Sequence, residues 1–498
     1  MFRTTSLLLA LSPLLAAEDL GGGRPAAHGR VPRFVLERWI PGGPSAFAFE
    51  DLSSTTVLQV GILSTGRSNL VLPGIGTLIA DLGAPGALSF SMPQRLALAQ
   101  LPPALAGATF YIQGAVLDGS GVLLTDATRV DCFQPIVMVG NQRQSSNSIS
   151  VIDLQSRSVT QTLTNSENGS IAFAPSRKYA YVCEPGLQRN RVVIYDLSTS
   201  PITSPGTIAV SGGIRYQPAI ARDGKRMYVP IHSGVSVVDT DPASSTFHTE
   251  LLTIPTPITG SSGAIFEGPF DCAVTPDGKK LLVAYGERVA TYQTPGTLGI
   301  IDLTLPTYPH QAVPITNSGA LTLLGTPLVS RQRVEVSGDG RHAYLVEFAF
   351  KPGAYVVGFQ NGGAVNVVDL QTNAEVAVIP FGGFAVHEFA LDRNSRNLWV
   401  AANDLQDFGQ VARIDVDRHS ATRWQVRNRI QVDPVAYSAG GAFGVGCTPD
   451  GATVCVSLCE DGAHASPVLI TIDAWTDTIF GAPIPVQSLP ATVGIPLF

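Results

Sequence analysis

Two repeated elements and the composition predict an all-β fold. The first element is a run of β-branched and apolar residues that ends in an aspartate. It occurs at Val151-Ile152-Asp153, Ile194-Tyr195-Asp196, Val237-Val238-Asp239, Ile300-Ile301-Asp302, Val367-Val368-Asp369, Arg413-Ile414-Asp415 and Thr471-Ile472-Asp473. Successive aspartates lie 43, 43, 63, 67, 46 and 58 residues apart, a period that fits one four-stranded unit per repeat. The second element is a turn ahead of an apolar run, as in Thr275-Pro276-Asp277-Gly278 before Leu281-Leu282-Val283. Parallel turns stand at Arg222-Asp223-Gly224, Gly338-Asp339-Gly340 and Pro449-Asp450-Gly451, with weaker copies at Pro175-Ser176-Arg177 and Asp392-Arg393-Asn394. The chain holds 50 Gly and 36 Pro with only 14% charged residues, and no stretch sustains a helical period. Seven repeats of this kind predict a seven-bladed β-propeller.

Both elements have a structural role that precedes any chemical one. An Asp-Gly pair supplies the positive φ that a tight hairpin needs. An aspartate closing a strand bonds its own backbone two residues on and starts the next turn. These aspartates therefore shape the blades and are not expected to be catalytic.

The first 17 residues read as a secretory signal: Arg3, an apolar core from Leu7 to Leu15, and small residues at Ala16-Ala17. That core is too short to span a bilayer, and no other segment approaches the necessary length, so an exported chain with no membrane span is expected. Residues 18–30, with Gly21-Gly22-Gly23, read as a flexible lead. From residue 31 to 132 the pattern differs from the repeats. Strands are expected at Thr56–Leu63, Gly76–Asp81, Leu88–Ser91, Ala108–Leu117 and Gly121–Thr125, with a short helix near Pro93–Ala99. This stretch predicts a small β-sandwich-like accessory domain, a dock or spacer that carries no chemical motif.

The propeller is expected over residues 133–498. A full unit is Ser170–Ala174, Tyr179–Cys183, Arg191–Asp196 and Thr207–Val210. The first unit lacks its leading strand, since Ile136–Val139 already reads as a second strand. The C-terminal Leu489-Pro490-Ala491-Thr492-Val493-Gly494-Ile495 resembles a repeat start such as Tyr216-Gln217-Pro218-Ala219-Ile220. It is expected to complete the first blade and close the ring.

The strands Tyr181-Val182-Cys183-Glu184, Tyr228-Val229-Pro230 and Tyr344-Leu345-Val346-Glu347 each follow a turn and precede a strand ending in aspartate. In this respect residues 133–498 resemble the YVTN-type seven-bladed propellers, which include surface-layer, quinoprotein-dehydrogenase-like and lactonase-type members. The final Asn of that pattern survives only at Asn141 and Asn403. The resemblance implies a fold and leaves activity open.

In a propeller the loops between second and third strands share one face with the channel mouth. On this sequence that face gathers Glu184, His232, Asp271, Glu287, Arg288, Arg333, Glu347, His387, Glu388 and Asp404. Asp271, Arg333 and His387 are expected to begin innermost strands, which with Glu347 makes them the candidate catalytic set. His232, Glu184, Glu287, Glu388 and Asp404 are candidate ligand-binding residues. A His beside carboxylates and an Arg would polarise a carbonyl or hold a cation. Polar residues are also what a water-filled channel requires. Two long loops, Tyr285–Leu298 and Phe348–Ala364, rise from neighbouring units and are expected to form one continuous binding lip.

Other chemistry is not written in the chain. There is no Gly-x-Ser-x-Gly elbow, P-loop, His-Glu-x-x-His or dinucleotide fingerprint, and no Cys-x-x-Cys-His for haem. No metal site is predicted, and no cofactor is specified, with a bound metal ion or quinone left open. Net charge is −7 and no basic stripe appears, so nucleic acid is not an expected partner. Of the six cysteines, Cys447 and Cys455 flank a turn and would face one another across a hairpin, either as free thiols or as a disulfide. The leading expectation is an exported binding or scaffold protein that engages a protein or small-molecule ligand at the channel mouth. The alternative is a lactonase-like hydrolase or quinoprotein-like oxidoreductase, which requires Asp271, Arg333, Glu347 and His387 to converge.

Overall fold

The computed structural model describes residues 136–141, 148–164, 170–183, 190–256, 265–288, 296–315, 329–350, 363–381, 385–392, 395–403, 409–418, 420–432, 441–449, 451–458, 467–487 and 490–495. Ahead of these it describes 18–21, 31–37, 45–50, most of 52–91, 95–98, 109–119 and 121–131. Every regular element among the described residues is a strand, and no helix there is long and apolar enough to cross a membrane. The proposed signal, Met1–Ala17, lies outside the described residues.

From residue 136 onward the strands form antiparallel sheets, most of them four-stranded. One pairs Ile171–Phe173, Tyr179–Cys183, Arg191–Asp196 and Thr203–Ala209 in order. The next pairs Ala219–Ile220, Arg226–Ile231, Gly234–Asp239 and Glu250–Pro255. Another pairs Ala385–Leu391, Asn397–Asn403, Gly409–Asp415 and Gln425–Gln431. The last unit begins with Ala442–Cys447, Thr453–Leu458 and Val468–Asp473. The buried residues form clusters that each draw on two successive units, as when Tyr181, Val192 and Ile194 pack against Met227, Val229 and Ile231. This is the architecture of a β-propeller.

The repeats do what their chemistry dictates. Each of the seven strand-end aspartates accepts, through Oδ1, the amide two residues on: Asp153 from Gln155, Asp196 from Ser198, Asp239 from Asp241, Asp302 from Thr304, Asp369 from Gln371, Asp415 from Asp417 and Asp473 from Trp475. The distances run from 2.8 to 3.1 Å. At Asp239 the Ser244 and Thr246 hydroxyls also donate to Oδ2, both at 2.6 Å. Burial pushes that carboxyl up, and these donors hold it down at about 2.

The turns ahead of the second strands are equally regular. The amides of Arg177, Gly224, Gly278, Gly340, Ser395 and Gly451 each donate to the carbonyl three residues back at 2.8 Å. Each of these residues has a positive φ, between 52° and 72°. The Gly of the Asp-Gly pair is thus the left-handed residue that follows the turn, and Arg177 and Ser395 accept the same strain in the weaker copies.

The C-terminal strand closes the ring as expected. Pro490–Gly494 pairs antiparallel with Ile136–Asn141, matching Met138 to Gly494 and Val139 to Val493. It leads a sheet continued by Ser148–Asp153 and Ser158–Thr164. Val493 and Ile495 enter a cluster with Val137, Val139, Leu469 and Ile484 that joins the last unit to the first.

Four expectations need correction. Arg95–Leu98, expected to be helical, is a strand paired with Ser45–Ala48, because so short a segment suits helix or strand and the backbone partner decides. Glu18–Gly21, read as flexible lead, pairs with Ala127–Asp131. Cys447 and Cys455 do not face one another. Cys447 is opposite Val454 and Cys455 opposite Gly446, so adjacent positions send the two side chains to opposite faces, and both are buried with no disulfide between them. Asp271 and Arg333 do not begin their strands, which start at Ile265 and Val329.

Residues 18–131 form their own sheets. Arg33–Glu37, Ser45–Glu50 and Arg95–Leu98 make one. Thr109–Asp118 is central to another, beside Leu58–Ser64 and Ala127–Asp131. The Phe34 and Phe49 rings lie 4.7 Å apart, tilted by 33°, against Gly114, where a Cβ would stand 2.4 Å from the Phe49 ring. Glycine is required there by close approach of the two layers.

Candidate functional site

Two neighbouring units depart from the common blade length. Ile265–Val274, Lys280–Arg288, Val329–Val336 and His342–Phe350 have 8 to 10 residues each. Their extra length precedes Asp271 and Arg333 and follows their cross-strand partners Ala284 and Val346. In the extension Glu287 pairs with Ser330 and Arg288 with Val329, so the two units share one eight-stranded sheet. The predicted loops therefore start later: Tyr285–Arg288 and Phe348–Phe350 are strand, because neighbouring backbones satisfy their amides. Residues 289–295 and 351–362 lie outside the described residues.

At the base of this extension the structure brings together Asp271, Arg333 and Glu388, which are 1%, 3% and 6% exposed. Arg333 donates through Nη1 to Glu388 and through Nη2 to Gln217. Its Nε stands 3.6 Å from Asp271 Oδ2, which accepts the Val334 amide at 3.0 Å. The guanidinium lies over the Tyr216 ring at 5.1 Å and the Phe389 ring at 6.0 Å. Glu335, two residues along, accepts the Leu391 amide at 3.0 Å. One side chain thus ties together four successive inner segments of the ring.

Burial dominates the electrostatics. It pushes Asp271 up to about 6 against the pull of Arg333 and the Val334 amide. It pushes Glu388 and Glu335 each up to about 7 against the same guanidinium. Burial would lower Arg333, but Glu388, Tyr216 and Asp271 hold it above its ordinary value. Asp271 Oδ1 and Glu388 Oε2 are buried and meet no close donor.

The two candidate histidines lie apart from this cluster. His387 turns to Asn403, whose Nδ2 is 3.0 Å from His387 Nε2, and its ring lies 4.5 Å from Phe443. Burial lowers its pKa to about 4, so the ring is neutral and accepts the amide proton. A bulge at Val386/Glu388 leaves His387 unpaired in the ladder and sends Glu388, not His387, to Arg333. His232 is exposed in the short turn between Arg226–Ile231 and Gly234–Asp239. Glu347, Glu287 and Arg288 are placed by register only, Glu347 opposite Gln332 and Ala364. Glu184 and Asp404 lie outside the described residues.

Sequence reasoning missed Tyr216, Gln217 and Glu335 as members of the cluster. Tyr216-Gln217 heads a repeat and Glu335 shares strand parity with Arg333, and those were the signals available. Among the described residues no group of three or more His, Cys, Asp or Glu side chains is arranged to hold a metal. With its fork turned to Glu388 and Gln217 and its Nε beside Asp271, Arg333 joins segments of the ring.

No family model and no curated protein matches the sequence. Among solved structures the chain is similar to the periplasmic gluconolactonase PpgL of Pseudomonas aeruginosa, at 15% identity over 72% of this chain and 98% of that one, with a TM-score of 0.51. It is also similar to a functionally unknown protein from Desulfotomaculum acetoxidans, at 11% identity over 72% and 98%, TM-score 0.49. A third is hydrazine synthase of Kuenenia stuttgartiensis, at 17% identity over 68% and 89%, TM-score 0.45. At this identity the likeness to PpgL is one of fold, and the fold is the β-propeller.

Proposed function

We propose that the chain is an exported seven-bladed β-propeller of the YVTN type, acting as a binding or scaffold module. Its protein or small-molecule partner engages the channel-mouth face above Asp271 and Arg333. The blade count rests on the seven strand-end aspartates, each closing a third strand, and on the terminal strand that joins last unit to first. The YVTN assignment rests on Tyr181, Tyr228 and Tyr344, each the third residue of its strand and each buried.

One observation carries the binding reading: the extended sheet in which Glu287 and Arg288 pair with Ser330 and Val329. A blade needs no such extension to pack. Here two blades project together on the channel-mouth side, where loops on a rigid scaffold carry recognition. The opposite face holds the short repeated turns, with little room for specificity. The enzyme reading needs four residues to converge, and His387 is committed to Asn403.

Photo-crosslinking in the full chain tests the face. p-Benzoylphenylalanine at position 347 is expected to trap a partner, and the same group at Asp277 is expected to trap none. The reverse pattern would move the site to the turn face. Hydrolysis of D-glucono-1,5-lactone by the wild type, abolished by Arg333→Lys, would replace the binding reading with a lactonase.

The same proposal divides the chain at residue 132. Blades bury their faces against one another, so residues 133–498 are expected to fold alone, giving a soluble fragment with a cooperative melt. An aggregating fragment beside a soluble full chain would make residues 31–132 part of the ring's stability.

A further inference from the structure

We propose that Asp271, Arg333, Glu335 and Glu388 form a proton-dependent clasp at the channel, tight in acid and loosened as the medium becomes alkaline. The argument begins with charge stoichiometry. Three carboxyl groups stand around one guanidinium, and Asp271, Arg333 and Glu388 are almost wholly removed from water. One cation balances one carboxylate, so full ionisation leaves one uncompensated negative charge shared by the buried Asp271 and Glu388 and a second on the half-buried Glu335, which a low-dielectric interior disfavours. Holding protons on the carboxyls removes that excess.

The hydrogen bonds fit a protonated cluster. Asp271 Oδ1 and Glu388 Oε2 meet no close donor, the Cys272 and Val445 amides pulling on these carboxyls less than Arg333 does. A buried carboxylate oxygen without a close donor is costly. Arg333 Nε, also without a hydrogen bond, stands 3.6 Å from the other Asp271 oxygen. A proton on either oxygen converts an unmet acceptor into a donor. The remaining carboxyl oxygens are engaged, Asp271 Oδ2 by the Val334 amide, Glu335 Oε2 by the Leu391 amide and Glu388 Oε1 by Arg333.

Three other titratable side chains described near the cluster do not supply the missing charge. Tyr216 faces Arg333 with its ring. Cys272 is buried beside Asp271, where burial raises the thiol and keeps it neutral. His387 is turned to Asn403. The upward displacement of Asp271, Glu335 and Glu388 agrees with this count.

The clasp spans four inner segments, so its state bears on the whole ring. A carboxyl whose pKa is raised on folding contributes stability that is complete below its unfolded value, near 4. That stability is lost as pH rises through its folded value, here between about 6 and 7. An exported protein in mildly acid surroundings therefore keeps the ring closed, and alkalinity frees the blades that carry the extended sheet.

Hydrogen–deuterium exchange of the full-length protein between pH 5 and 7.5, corrected for the intrinsic rate, reads the clasp through the Val334 and Leu391 amides. The opening constant of segments 329–336 and 385–391 is expected to rise about tenfold per pH unit for each proton retained. Glu388→Gln removes one such proton. Its profile is expected to be flatter by about one such factor per pH unit, with stronger protection than wild type at pH 7.5. Glu335→Gln makes the same comparison should the first variant fail to fold. Parallel profiles in wild type and folded variant, or exchange independent of pH, would overturn the clasp.

Discussion

Removing Pro490–Phe498 is expected to lower the melting temperature of the whole propeller by about 10 °C or more. Pro490–Gly494 is the leading strand of the sheet that contains Ile136–Asn141, so its loss leaves that strand paired on one side only and exposes a sheet edge. Val493 and Ile495, 8% and 7% exposed, also leave the cluster that joins the last unit to the first. Their burial contributes about 3–6 kcal/mol, a large part of a typical folding stability of about 5–15 kcal/mol. At roughly 2–4 °C per kcal/mol the shift is easily seen by circular dichroism. Gly494→Val is a milder test of the same joint. A Cβ there would stand 3.0 Å from Ile171 and Phe173 of the next sheet, so the variant keeps every ladder bond and still destabilises. An unchanged midpoint in the truncated chain would mean that the ring holds without its closing strand.

The ring was legible in the sequence because its signals are local. An aspartate that accepts the amide two residues on, or a glycine at positive φ after a turn, depends on fewer than six neighbouring residues. Hence Asp153, Asp302 and Asp473 do what their position in the repeat implies. The closing strand was legible for a similar reason, since Pro490-Ala491-Thr492 copies the start of a repeat. The candidate site was less legible because irregularities in the ladder decide it. His387 and Glu388 are consecutive, and alternation alone makes either one the neighbour of Arg333. The bulge at Val386/Glu388 selects Glu388, and register shifts between Phe266 and Asp271 set the height of the Asp271 carboxyl. The shared eight-stranded sheet is a pairing between units, and no spacing within a unit encodes it. Residues 95–98 show the opposite failure. Arg-Leu-Ala-Leu is short enough to suit helix or strand, and only the partner Ser45–Ala48 decides.

Arg333→Met is expected to destabilise the folded chain by about 3–5 kcal/mol at pH 8, the usual loss when one partner of a buried ion pair is removed. Methionine roughly fills the aliphatic volume, so the loss reports charge and hydrogen bonding rather than a cavity. Without the guanidinium, Glu388 and Asp271 face one another as buried carboxyls, and Gln217 loses its donor. The packing of the guanidinium on Tyr216 and Phe389 disappears as well. The penalty depends on pH in a definite direction. Removing the cation raises the folded-state pKa of its carboxyl neighbours further, so at pH 5 they take up protons and the variant suffers less than at pH 8. Urea unfolding at the two values measures the difference. The double variant Arg333→Met/Glu388→Gln is expected to regain part of the stability at pH 8, because it removes the charge left unpaired, and to show little gain at pH 5. Equal losses at both pH values, with no recovery in the double variant, would assign Arg333 to packing alone and leave the carboxyls without a shared charge.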